Sequence, residues 1–112
     1  LVAVNHQADA SVAERKALDL GTSTQVDQFA RDLMAKKKAA EALAIFRQNA
    51  TKHPGDWFVH DGLARAYSAQ GKFADAAKEM RLAVTSAPPS EKNRLESLLA
   101  KLDAKQDIST SQ

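Results

Sequence analysis

The sequence predicts an all-α fold, a stack of about two helical hairpins closed by a C-terminal capping helix. Three observations carry that reading. Residues 23–56 laid over residues 57–90 match at ten positions, an offset of 34 residues, with Asp27 on Asp61, Ala30 on Ala64, Arg31 on Arg65 and Pro54 on Pro88 among them. Self-similarity at this period marks a helical unit that buries its apolar face only by stacking on the next one. Apolar residues recur at i, i+3, i+4 and i+7, the spacing of one helix face. Proline and glycine fall between the segments, at Pro54-Gly55, Gly71 and Pro88-Pro89, where a helix has to stop.

The elements follow in order. Residues 1–7 read as a linker entering from a preceding domain. Ser11-Val12-Ala13-Glu14 forms a capping box that opens a short helix to about Leu20, with Gly21 as its stop. Thr22 and Gln25 form a second box, and Val26, Phe29, Ala30 and Leu33 are the stripe of the helix that follows. After Lys37-Lys38 a partner helix turns Ala39, Ala42, Leu43 and Phe46 inward. Asp56, a residue type favoured at N-caps, opens the second hairpin. Its first helix carries His60, Leu63, Ala64 and Tyr67, supported by Trp57, and its second carries Phe73, Ala76, Ala77, Met80 and Ala83. Ser90 is the expected cap of the last helix, whose stripe Leu95, Leu98, Leu99 and Leu102 repeats the first-helix pattern at an offset of 35. The boundaries are thus 1–21 for linker and short helix, 22–104 for the repeat domain (hairpins 22–54 and 56–88, capping helix 90–104), and 105–112 for a polar, frayed tail.

Composition excludes several functions. A chain of 112 residues has room for one small domain. The net charge of +2 is spread along the chain, and Lys36-Lys37-Lys38 is its sole basic cluster, so no nucleic-acid partner is expected. Without cysteine there is no disulfide framework, thiolate nucleophile or cysteine-based zinc site. The apolar runs are far short of a bilayer span, so membrane insertion is not expected. No nucleophile elbow, glycine-rich phosphate loop or paired-carboxylate motif is present. The reading is therefore a non-enzyme with no catalytic residues, cofactor or metal. His53 and His60 lie on either side of Pro54-Gly55, a poor geometry for the converging ligands that zinc needs. His60 is expected at the edge of the core with one ring nitrogen hydrogen-bonded.

The set Leu63-Ala64, Tyr67, Gly71, Ala76, Ala83 and Pro88, with Phe29-Ala30, Leu33, Ala42, Phe46 and Pro54 before it, resembles the tetratricopeptide repeat family. The resemblance implies a right-handed stack that presents a shallow groove, lined by the first helices, to a protein or peptide. His60, Met80 and Asn49 depart from the family pattern. The strings Ala44–Ala50 and Trp57–Arg65, with Ala87-Pro88-Pro89-Ser90 and Leu98–Leu102, also resemble the C-terminal tail of bacterial exported proteins whose β-rich N-terminal domain has no assigned function. That likeness implies a tail of a larger bacterial protein, a periplasmic or exported location, and a missing N-terminal domain as an alternative, intramolecular partner that carries any activity.

Asp27–Arg31 and Asp61–Arg65 are i, i+4 pairs that recur at the repeat period. They can serve as local helix support of about 0.3–0.5 kcal/mol each, or Arg31 and Arg65 can present guanidinium forks to a partner. The carboxylate-clamp version of the family has Lys and Asn at such places, so Asp and Arg argue against that specificity. Phe58, beside Trp57, cannot share its core face. Aromatic residues and arginine are enriched among binding hot spots, so the candidate partner-binding residues are Phe58, Arg65, Arg31 and Met34.

Overall fold

The computed structural model describes residues 22–111. The linker over 1–7, the helix over 11–20 and Gln112 lie outside the described residues. Within them run five helices: α1 Ser23–Ala35, α2 Ala39–Lys52, α3 Trp57–Ala69, α4 Phe73–Ser86 and α5 Pro89–Asp103. Each packs on its neighbours in sequence, and α1 also meets α3, so the fold is an all-α stack of two hairpins with α5 closing the end.

Local chemistry sets the helix ends. Thr22 is extended, and its hydroxyl accepts from the Gln25 amide at 3.1 Å while the Gln25 carboxamide oxygen accepts from the Thr22 amide at 3.4 Å. This is the reciprocal capping box the sequence predicts. Helices α1, α3 and α5 all end in one motif, in which a left-handed residue lets two amides turn back onto the last carbonyls. The left-handed residues are Lys37, Gly71 and Lys105. The amides of Lys38, Lys72 and Gln106 reach the carbonyls of Leu33, Tyr67 and Lys101 at 2.9, 2.9 and 2.8 Å. These stops are evenly spaced by 34 residues, so the helix ends keep the repeat period through α5, whereas the leucine stripe had suggested 35.

Two apolar clusters make the core. The first joins Ala30, Leu33, Ala42, Leu43, Ile45 and Phe46 to Leu63 and Ala66. The second gathers Ala64, Ala76, Ala77, Met80 and Ala83 with Leu95, Leu98 and Leu102 of α5. Ala30 and Ala64 have no exposed surface, because small residues here let neighbouring helices approach closely. Gly62 takes this further: a Cβ there would lie 2.4 Å from Cε1 of Phe46 and 2.8 Å from Oδ1 of Asp27.

The departures from the family pattern have local causes. Asn49 is buried and donates Nδ2 to the Ser23 carbonyl at 3.0 Å, tying α2 to the start of α1. His60 is buried with both ring nitrogens engaged, Nδ1 by Glu79 Oε1 at 3.1 Å and Nε2 by the Pro54 carbonyl at 2.8 Å. Met80 is fully buried.

Three sequence expectations need correction. Asp56 occupies the N-cap position of α3 but makes no capping bond; its carboxylate accepts instead from Ser23 Oγ at 2.7 Å, because α1 passes close by. Ser90 lies inside α5, which begins at Pro89 with Pro88 at its N-cap, since proline is favoured in a first turn. The polar, frayed tail expected over 105–112 has a docked stretch among its described residues: Ile108 has no exposed surface and belongs to the second core cluster.

Candidate functional site

The repeated acid–base pairs join into one ladder across α1 and α3. Arg31 donates Nε to Asp27 Oδ2 at 2.8 Å and Nη2 to Asp61 Oδ2 at 3.3 Å. Arg65 donates Nε to Asp61 Oδ1 at 3.2 Å. Helical spacing puts each pair on one face, and the contact of α1 with α3 brings the two pairs within reach, so Asp61 serves both guanidinium groups.

Burial acts differently on Asp27, Arg31 and Arg65. Burial pushes the Asp27 carboxyl above its ordinary value, although Arg31 opposes the shift; its Oδ1 is buried with no hydrogen-bond partner. Arg31 is also penalised by burial, but the carboxylates of Asp27 and Asp61 outweigh it and raise its affinity for the proton. For Arg65 burial prevails over Asp61 and lowers it. Two carboxylates facing two guanidinium groups therefore hold a desolvated ladder, with the least compensated charges at its two ends.

Beside the ladder opens a cleft of about 630 Å³, lined by Arg31, Met34 and Lys37 from α1 and its turn, Arg65 and Ala69 from α3, and the tail at Ser109–Ser111. Three of the four candidate residues, Arg31, Met34 and Arg65, thus surround one space. Phe58 does not line it. It lies two turns before Arg65 on the same face of α3, half-buried, with its ring edge-on to Trp57 at 6.1 Å between centroids. The two arginines differ from the expected pair of free forks: Arg31 is held by two carboxylates, and Arg65 is buried.

What buries Arg65 is the C-terminal segment. Its Nη1 donates to the Ile108 carbonyl at 3.3 Å and also to the Ser111 carbonyl. Ser68 Oγ donates to Asp107 Oδ1 at 2.6 Å and accepts from the Ile108 amide at 2.8 Å. The Ser109 amide and hydroxyl both donate to the Asp107 carboxylate at 2.9 Å, and the Ser111 amide closes a turn on the Ile108 carbonyl at 2.9 Å. Burial would raise the Asp107 carboxyl, but the bonds from Ser68 and Ser109 together hold it below its ordinary value.

Ser68, Gly62 and the tail are the residues that sequence reasoning missed. Two signals were present: Asp107-x-Ser109 is the pattern of a side chain folding back on its own backbone, and Ile108 is an aliphatic residue alone among polar ones.

Among the described residues, no helix is long and apolar enough to cross a membrane, and no three His, Asp or Glu side chains gather as a metal ion would need. No curated protein and no solved structure matches the chain. The family model for the tetratricopeptide repeat matches residues 33–102, which takes in α2, α3, α4 and nearly all of α5. With paired helices stacked at a 34-residue period, the chain belongs to the tetratricopeptide repeat family, whose repeats generally mediate protein–protein interaction.

Proposed function

We propose that the chain is a non-catalytic interaction module that holds a protein or peptide segment along the α1–α3 face, around Arg31, Met34 and Arg65. The observation that carries this reading is the cleft itself, which both repeated arginines line together with the apolar Met34 and with Lys37. An apolar centre with a polar rim is the anatomy of protein–protein interfaces, the kind of partner that this repeat family generally takes. Phe58, on the same helix face, extends the surface toward the start of α3.

The likeness to the tails of bacterial exported proteins favours a second reading of the partner. In it, the cleft faces a β-rich domain of the same polypeptide in the periplasm, and any activity belongs to that domain.

Selection of a displayed random-peptide library on the chain tests the assignment of the face. Peptides that lose roughly tenfold in affinity, a 1.4 kcal/mol step, with Met34→Glu but keep it with Lys78→Glu on the exposed side of α4 support the reading. Peptides indifferent to Met34→Glu, or no selected peptide at all, overturn it.

A further inference from the structure

We infer that residues 107–111 are a tethered ligand of this module's own groove, and that a partner is recognised by the same chemistry: an acidic residue, an aliphatic residue, then a hydroxyl-rich turn. The inference rests on the interaction reading above and names the ligand class and the regulation of that site.

The contacts of the segment are those of a bound peptide. One aliphatic side chain, Ile108, is fully buried in the second core cluster. One carboxylate, Asp107, takes the hydroxyl of Ser68. Two backbone carbonyls, of Ile108 and Ser111, share Nη1 of Arg65. Ile108 and the Asp107 carboxylate set specificity, and the turn, which the Ser109 hydroxyl fastens to Asp107, sets shape.

The position of the segment in the repeat makes the same point. After the left-handed stops at Lys37 and Gly71 the chain starts a second helix at Ala39 and Phe73. After the equivalent stop at Lys105 no helix begins among the described residues, and the chain crosses to α3 instead.

The docked segment is small enough to exchange. Asp107 and Thr110 are exposed, and the cleft beside it stays open toward Met34 and Lys37, so an incoming segment can engage there before the tail leaves. Because only Ala104–Gln106 separate α5 from the docked residues, the tail competes at a local concentration in the millimolar range typical of short tethers. A trans ligand therefore binds with an apparent affinity reduced by the fraction of molecules whose tail is released.

The test uses the full chain and a fluorescein-labelled synthetic peptide with the sequence of residues 105–112, read by fluorescence anisotropy. Ile108→Asp in the chain should undock the tail, and this variant should bind the peptide at least about tenfold more tightly than the unaltered chain. Adding Ser68→Ala to the variant, or placing Asp at the isoleucine of the peptide, should abolish that gain. Asp107→Lys, which alters an exposed side chain and leaves the core intact, should shift affinity in the same direction and serves if Ile108→Asp fails to fold.

Equal binding to both chains, or to neither, overturns the tethered-ligand inference. If library peptides still depend on Met34 in that case, the interaction reading stands without it; if none do, both fall. A dimer that dissociates on Ile108→Asp would assign the docked tail to a second copy and overturn the arrangement in cis.

Discussion

Replacing Gly62 by alanine would force a methyl group into space that Phe46 already fills. The new Cβ would lie 2.4 and 2.7 Å from two ring carbons of Phe46 and 2.8 Å from a carboxylate oxygen of Asp27. Carbon–carbon contacts are optimal near 3.5–4.0 Å, so the overlap is about 1 Å. Phe46 has no exposed surface and sits in the first core cluster, so its ring cannot swing away without disturbing the hairpin. Overpacking of this kind costs about 1–3 kcal/mol, occasionally more. Alanine returns about 0.8–1.0 kcal/mol of helix propensity over glycine, which leaves a net loss of about 0–2 kcal/mol. In a domain of this size each kcal/mol lowers the melting temperature by about 4–8 °C. Urea titration followed by far-UV circular dichroism measures the loss. Gly55→Ala is the control, because nothing lies within 4 Å of its added Cβ, and its midpoint should stay within about 0.5 kcal/mol of the parent. Without the clash alanine would raise stability by about 0.8–1.0 kcal/mol, so a Gly62→Ala midpoint above the parent's would refute the close approach of α3 to α2.

Other outcomes follow from the same contacts. Ala64→Leu should cost about 1–3 kcal/mol in the same titration, because Ala64 is fully buried in the second cluster, and an unchanged midpoint would refute the register of α3. Ile108→Ser should cost no more than the docking of the tail, about 1.5–3 kcal/mol for one buried isoleucine, and should speed hydrogen exchange of the Ile108 amide, which otherwise donates to Ser68. The Asp107 carboxyl is held below its ordinary value, so its contribution is present above the ordinary carboxyl range and is lost as pH falls through the folded value; Ile108 amide protection should fall with it. Asp27 runs the other way: its folded value is raised, so its contribution is present in acid and lost as pH rises through the folded value. Asp27→Asn should remove that slope from the stability–pH curve, and an unaltered slope would show that Asp27 is not the group desolvated.

The helices, their pairing and most of their buried faces were determined by the sequence alone. A stripe such as Val26, Phe29, Ala30 and Leu33, a capping box at Thr22 and Gln25, and stops at Pro54 and Gly71 are local signals, and a helix needs little else to be placed. The i, i+4 pairs Asp27–Arg31 and Asp61–Arg65 were legible for the same reason. Only the tertiary structure decided that Arg31 also reaches Asp61, that Gly62 is the point of closest approach to Phe46, and that Met34 shares a cleft with both arginines while Phe58 does not. Spacing along a chain fixes which face of a helix a residue occupies, but the distance between two faces depends on the side chains of both helices. The tail shows the limit most plainly. Read locally, residues 105–112 are polar and without a stripe, and Asp107-x-Ser109 and the lone Ile108 are the only signals of order in them. Residues 107–111 are held by Ser68 and Arg65, about forty residues away in sequence, and by a pocket for Ile108 that exists only once α3, α4 and α5 have packed. A segment held by long-range contacts carries almost none of its structure in its own residues, because the energy that orders it belongs to the surface it meets.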